Sequence, residues 1–223
     1  MQFRNRKVLL KVLFIFIGYF CYTNIVTFIL NNLGLNDQIA NLFIADIIFS
    51  FGIVFIYKDY LKKCFIDFNK KYNLKQKIWF IIKWVGILFI INILFGAIIQ
   101  LDARNDNTST IYDLASISTI YTIFKTMIFG CIIEELVFKK AIREIINNNY
   151  IFIIVSGFLY SLISISVFEF NLVNIVDFIK CFILFSILSY VFIKNDDNIF
   201  SVILIKFCYN ILPLVMMLTS IGA

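Results

Sequence analysis

Histidine is absent from the 223-residue chain, proline occurs once, and only 14 acidic residues face 20 basic ones. Without histidine there is no Ser-His-Asp or Cys-His nucleophile pair and no His-ligated zinc or haem. Cys21, Cys64, Cys131, Cys181 and Cys208 stand singly, without a CxxC spacing and mostly inside apolar runs. They read as small apolar residues rather than a disulfide framework. No cofactor and no metal is expected. Charge is scarce as well, at 15% of residues against about 25% in soluble domains.

What fills the chain is apolar: 61% of residues are hydrophobic and 27 are Phe. Soluble domains run at about 45–50% on a similar count, so the excess must face lipid. Runs long enough to cross a hydrocarbon layer at about 1.5 Å per residue recur at 8–30, 39–57, 78–100, 117–138, 150–168, 174–193 and 199–220. The predicted fold is all-α, a polytopic transmembrane bundle of about seven helices, in one membrane-embedded domain over 1–223. The first run is of spanning length and no small-x-small cleavage site follows it, so it is expected to stay as a helix. The fourth span carries Lys125, Glu134 and Glu135 and would insert poorly alone, since a charge at a helix centre costs about 2.5–3.5 kcal/mol.

The basic residues set the expected orientation. Arg4, Arg6, Lys7 and Lys11 flank span one, and Lys58, Lys62, Lys63, Lys70, Lys71, Lys75 and Lys77 follow span two; Lys139, Lys140, Arg143 and Lys194 follow spans four and six. All fall on one side, the loops of the opposite side hold only Arg104, and Lys83, Lys125, Lys180 and Lys206 lie within spans. The positive-inside rule then puts the N-terminus in the cytoplasm and segment 101–116, with Asp102, Asp106 and Asp113, outside. This bias accounts for the net charge of +6 without nucleic acid. The Lys-rich stretch 58–77 reads as a topogenic loop or as an interfacial helix drawn to anionic lipid headgroups.

The chemistry lies in FGCIIEELVFKKAIREIINNN. Adjacent carboxylates in a span are expensive and commonly functional; alternatively they lie at the cytoplasmic water boundary, with Lys139, Lys140, Arg143 and Glu144 pointing to solvent. Lys139, four residues after Glu135, shares its helical face. If spans four and five form a hairpin near Asn147 and Asn148, Glu134 and Ser164 lie within roughly one turn axially. In span seven Lys206 and Asn210 share a face, and a buried Lys206 requires an acid. Glu134 or Glu135 is the natural partner, with Asp46 and Asp177 as competitors.

These residues resemble the CAAX protease and bacteriocin-processing (CPBP, or Abi) family of intramembrane proteases. Its EExxxR motif matches Glu134-Glu135-Leu136-Val137-Phe138-Lys139, with Lys139 for Arg; FxxxH matches at Tyr160 and Ser164, with Ser164 for His; HxxxN matches at Lys206 and Asn210, with Lys206 for His. The resemblance spans 130–212, so 117–223 reads as a CPBP-like core, whereas 1–116, the first three spans, carries no motif. It implies a site of Glu134, Glu135, Lys139, Ser164, Lys206 and Asn210. In active relatives the first glutamate activates a water while two histidines and the asparagine orient it and stabilise the oxyanion.

Both motif histidines are missing here. A hydroxyl at Ser164 does not replace an imidazole, and an ammonium at Lys206 suits pairing with the carboxylate. The expected function is therefore a proteolytically degenerate member acting by binding, as an immunity, scaffold or regulatory subunit for another membrane or envelope protein or a peptide. The alternatives are an active glutamate-dependent endopeptidase and a helper in lipid acyl transfer, the latter suggested by Cys131 on the glutamates' face. The expected location is a bacterial plasma membrane, multi-pass, with membrane lipid as a partner.

Overall fold

In lipid every backbone N–H and C=O must find a partner within the chain, which leaves an apolar run little choice but the helix. The computed structural model describes residues 6–99, 118–164 and 172–221, and among these the regular structure is all helical. Helix α1 is Arg6–Asn32, α2 is Gln38–Lys71 and α3 is Leu74–Ile99. Helix α4, residues 119–145, joins an α-helical Thr119–Ile123, π-helical Phe124–Ile133 and Leu136–Ala141, and a last α turn Ile142–Ile145. Then come α5, Asn149–Ser164, α6, Leu172–Lys194, and α7, Ile199–Ile221. The acidic segment 101–116 and Arg4 lie outside the described residues.

The protein is a membrane-embedded, multi-pass helical bundle. Among the described residues five helices, α1, α2, α3, α6 and α7, are long and apolar enough to cross a membrane. α5 is apolar but has 16 residues, about 24 Å at 1.5 Å per residue, and α4 is interrupted by charge. Both belong to the bundle through packing rather than through length and hydropathy.

Polar residues close the helix ends. Asp37 caps α2, its carboxylate accepting from the amides of Ile39 and Ala40 at 2.9 and 3.1 Å, and Asn148 does the same for α5 at Tyr150 and Ile151. The α6–α7 turn uses Asp196 and Asp197 in the left-handed region, φ 60° and 56°, a conformation that Asp tolerates better than most residues.

The stretch 58–77 is not a loop. α2 runs on without interruption to Lys71, and α3 starts at Leu74 after a turn at Tyr72 and Asn73. Between the lysines, Tyr57, Cys64 and Phe68 are buried at helical spacing, so this stretch is an amphipathic helix whose apolar stripe is hidden in the sequence by its charge. The stripe docks on the α6–α7 turn. The Tyr60 hydroxyl donates to the Asp197 carbonyl at 2.5 Å, the Tyr72 hydroxyl to Asn195 Oδ1 at 2.7 Å, and Asn198 Nδ2 to the Cys64 carbonyl at 2.8 Å. Lys71 pairs with Asp196 at 2.7 Å and Arg143 with Asp197 at 2.9 Å. Lys11 and Lys140 share Glu144 at 3.0 and 3.3 Å. Lys11, Lys71, Lys140 and Arg143, four of the basic residues that the sequence places on one side, thus meet at one end of the bundle.

Small residues let α5 and α6 approach closely. A Cβ on Gly157 would come within 3.3 Å of the Phe182 carbonyl and the Ser186 amide, and Ser189 donates across to Ser156 at 3.0 Å, which donates to the Phe138 carbonyl of α4 at 2.7 Å. This contact fixes α5 against the part of α4 that carries the two glutamates.

Candidate functional site

The two glutamates sit between the two π-helical stretches of α4. π turns within helices are uncommon and occur frequently at functional sites. Here the local widening accompanies two adjacent carboxylates that both reach a single ammonium from α7. Lys206 Nζ lies 3.0 Å from Glu135 Oε1 and 3.3 Å from Glu134 Oε2. Lys139, on the face of Glu135, pairs with its other oxygen at 2.5 Å. Glu135 and Lys139 are completely buried, Lys206 is 7% exposed, and the Glu134 side chain is 20% exposed. The water-boundary alternative therefore fails for Lys139: it points into the bundle because its carboxylate partner is there. Two acids and two bases form a charge-balanced cluster, which is what makes their burial tolerable.

The fifth member is Tyr160 of α5. Its hydroxyl donates to Glu134 Oε2 and accepts from Lys206 Nζ at 2.5 Å. Its ring stacks on Phe185 of α6 with centroids 3.5 Å apart, and Lys206 lies 4.5 Å from the Tyr160 centroid. The sequence reading has Tyr160 only as the aromatic motif position and places Ser164 near the glutamates. Hairpin register explains the difference: counted from Asn147 and Asn148, Tyr160 lies about as far after the turn as Glu134 lies before it, whereas Ser164 is a full turn further. Ser164 Oγ donates back to the Tyr160 carbonyl at 3.0 Å.

Asn210 serves the helix wall beside the carboxylates. Its Nδ2 donates to the Thr126 carbonyl at 3.2 Å and reaches Cys131 Sγ at 3.4 Å, tying α7 to the first π stretch. Cys131 is fully buried and donates to the same carbonyl at 3.4 Å, a packed structural thiol that lends no support to acyl transfer. A mostly apolar cavity of about 510 Å³ opens beside Asn210 between α3, α4 and α7, lined by Phe89, Asn92, Thr126, Tyr209 and Pro213 among others.

The competing acids have their own cations. Asp46 of α2 takes Lys125 of α4 at 2.9 Å and the hydroxyls of Tyr121, at 3.0 Å, and Tyr22. Asp177 pairs with Lys180 at 2.6 Å. Neither pairs with Lys206, which is held by Glu134 and Glu135. The pairing of Asp46 with Lys125 has one signal in the sequence, a cation in span four more than two helical turns from the glutamates of the same span.

Chemically, the site holds Glu134 Oε2 and both Glu135 oxygens against ammonium and hydroxyl donors, with the Glu134 side chain 20% exposed. A general base needs a lone pair turned to the proton it removes, and Glu134 Oε2, the oxygen that meets α5 and α7, is taken by Tyr160 and Lys206. Among the described residues no group of His, Cys, Asp and Glu could hold a metal ion. No curated protein and no solved structure matches this chain. Residues 116–212 match the family described as type II CAAX prenyl endopeptidase Rce1-like, so the part of the chain that carries the charge cluster is similar to that family.

Proposed function

We propose that this protein is a family member that has given up proteolysis and acts by binding, as an immunity, scaffold or regulatory component for another membrane or envelope protein or a peptide. The observation that carries this reading is the position of Lys206. It stands at the place of a motif histidine and closes on both glutamates, so the cluster neutralises carboxylates where an active relative would activate water. Tyr160 adds a hydroxyl on the same oxygen. The cavity beside Asn210 offers apolar surface with Asn92 and Asn210 as polar contacts, the kind of lining that accepts a side chain or a chain segment.

The test is a cell phenotype set beside cleavage by purified protein. The phenotype is expected to survive Glu134→Gln at normal expression, and the wild-type protein is expected to leave membrane peptides intact. One observation favours the alternative of an active endopeptidase: Glu134 is the one charged member of the cluster with a substantial accessible fraction, 20% of its side chain. Cleavage that disappears in Glu134→Gln would establish that alternative.

The location proposed is a bacterial plasma membrane with the N-terminus in the cytoplasm. The gathering of Lys11, Lys71, Lys140 and Arg143 at one end of the bundle supports it through the positive-inside rule. Cysteines introduced at positions 70 and 107 should report it: an impermeant reagent applied outside should label position 107 and spare position 70. The opposite pattern would invert the topology.

A further inference from the structure

Most cations inside the bundle have an acid of their own: Lys125 has Asp46, Lys180 has Asp177, and Lys139 and Lys206 share the glutamates. Lys83 and Lys194, both exposed, have no ion-pair partner among the described residues, and each lies near the same aromatic ring. Lys83 of α3 holds its ammonium 5.7 Å from the Trp84 ring centroid, and Lys194, the last residue of α6, holds its own 6.0 Å from the same ring and 5.7 Å from Tyr190. The two rings pack edge to face with centroids 6.1 Å apart, Trp84 buried and Tyr190 46% exposed.

Two exposed ammonium groups near one ring leave positive charge that the ring offsets only in part. A shared anion relieves the rest. The level is right for a lipid. Lys194 adjoins the α6–α7 turn at the basic end of the bundle, and Trp and Tyr beside Lys mark the boundary between hydrocarbon and headgroups. Further along α3, Ile90, Ile93 and Leu94 are exposed, an apolar face along which acyl chains can lie. We propose that the α3–α6 surface beside Trp84 binds the phosphate of an anionic phospholipid headgroup, with Lys83 and Lys194 as its donors. Basic pockets between membrane helices hold such headgroups elsewhere.

The chain has only two tryptophans, so with Trp79→Phe the remaining fluorescence reports Trp84. In delipidated protein, brominated phosphatidylglycerol should quench it at about a thirtyfold lower concentration than brominated phosphatidylcholine, as expected for two basic residues at the membrane surface. Lys83→Gln/Lys194→Gln should abolish that preference while leaving thermal stability in phosphatidylcholine unchanged, and Lys62→Gln/Lys63→Gln, on exposed α2 positions, should preserve it. Millimolar inorganic phosphate should not displace the lipid. Equal quenching by both lipids, a preference that persists in the Lys83/Lys194 variant, or one lost equally in the Lys62/Lys63 variant would overturn the proposal. Displacement by phosphate would overturn the lipid assignment in favour of a free anion.

Discussion

Lys206→Ala should destabilise the folded protein by about 3–5 kcal/mol, the loss typical of removing one partner from a buried ion pair. It would be read as a lower melting temperature and a smaller monodisperse fraction in detergent. The cluster of Glu134, Glu135, Lys139 and Lys206 balances two negative against two positive charges, and the alanine leaves one negative charge uncompensated. Geometry says which one. Glu135 keeps Lys139 at 2.5 Å, whereas Glu134 loses the ammonium it contacts and retains the Tyr160 hydroxyl. Glu134→Gln in the Lys206→Ala background should therefore recover most of the loss. Glu135→Gln in that background should not, because it strands the buried Lys139. A melting temperature unchanged by Lys206→Ala would show that the ion pair contributes nothing, and equal rescue by both glutamines would show that the individual contacts are irrelevant.

The second large effect concerns catalysis. The wild-type protein is expected to cleave no membrane peptide, and Ser164→His with Lys206→His to be necessary for any activity to appear. Each preorganised donor to a developing oxyanion commonly contributes about 10²–10³ in rate, so two missing groups account for several orders of magnitude. The structure adds a third change, Tyr160→Phe, because the Tyr160 hydroxyl occupies one of the two Glu134 oxygens. The triple variant should therefore exceed the double variant in cleavage of a labelled membrane peptide. Robust cleavage by the wild-type protein, lost on Glu134→Gln, would reverse the functional reading.

Much of the site can be read along the chain because its members are local or carry charge. The pairing of Lys139 with Glu135 follows from an i to i+4 spacing. A lysine in span seven demands an acid because an isolated charge in lipid is costly. The role of Tyr160 is harder to see, since it depends on hairpin register, and one helical turn of error exchanges it for Ser164. Asn210 is harder still: its partner is the Thr126 carbonyl, and a backbone group facing another helix at a π stretch leaves no mark in side-chain pattern. The extension of α2 was concealed differently. Seven lysines between 58 and 77 resemble a loop until Tyr57, Cys64 and Phe68 are recognised as one buried stripe.

By itself the sequence determined the solvent, the all-helical class and the charge balance of this protein. Transfer into lipid depends on the composition of each run, and an apolar run in lipid must close its own hydrogen bonds as a helix. Tertiary structure alone decided which cation meets which acid. Helices that are apolar on every side have no polar face to fix their rotation, so hydropathy is equally consistent with Lys206 facing Glu134, Glu135, Asp46 or Asp177. Packing removes that freedom. The close approach of α5 to α6 at Gly157, the hydrogen bonds from Ser189 through Ser156 to α4 and the docking of α2 on the α6–α7 turn set rotation and register together, and the cluster of Glu134, Glu135, Lys139, Tyr160 and Lys206 is their consequence.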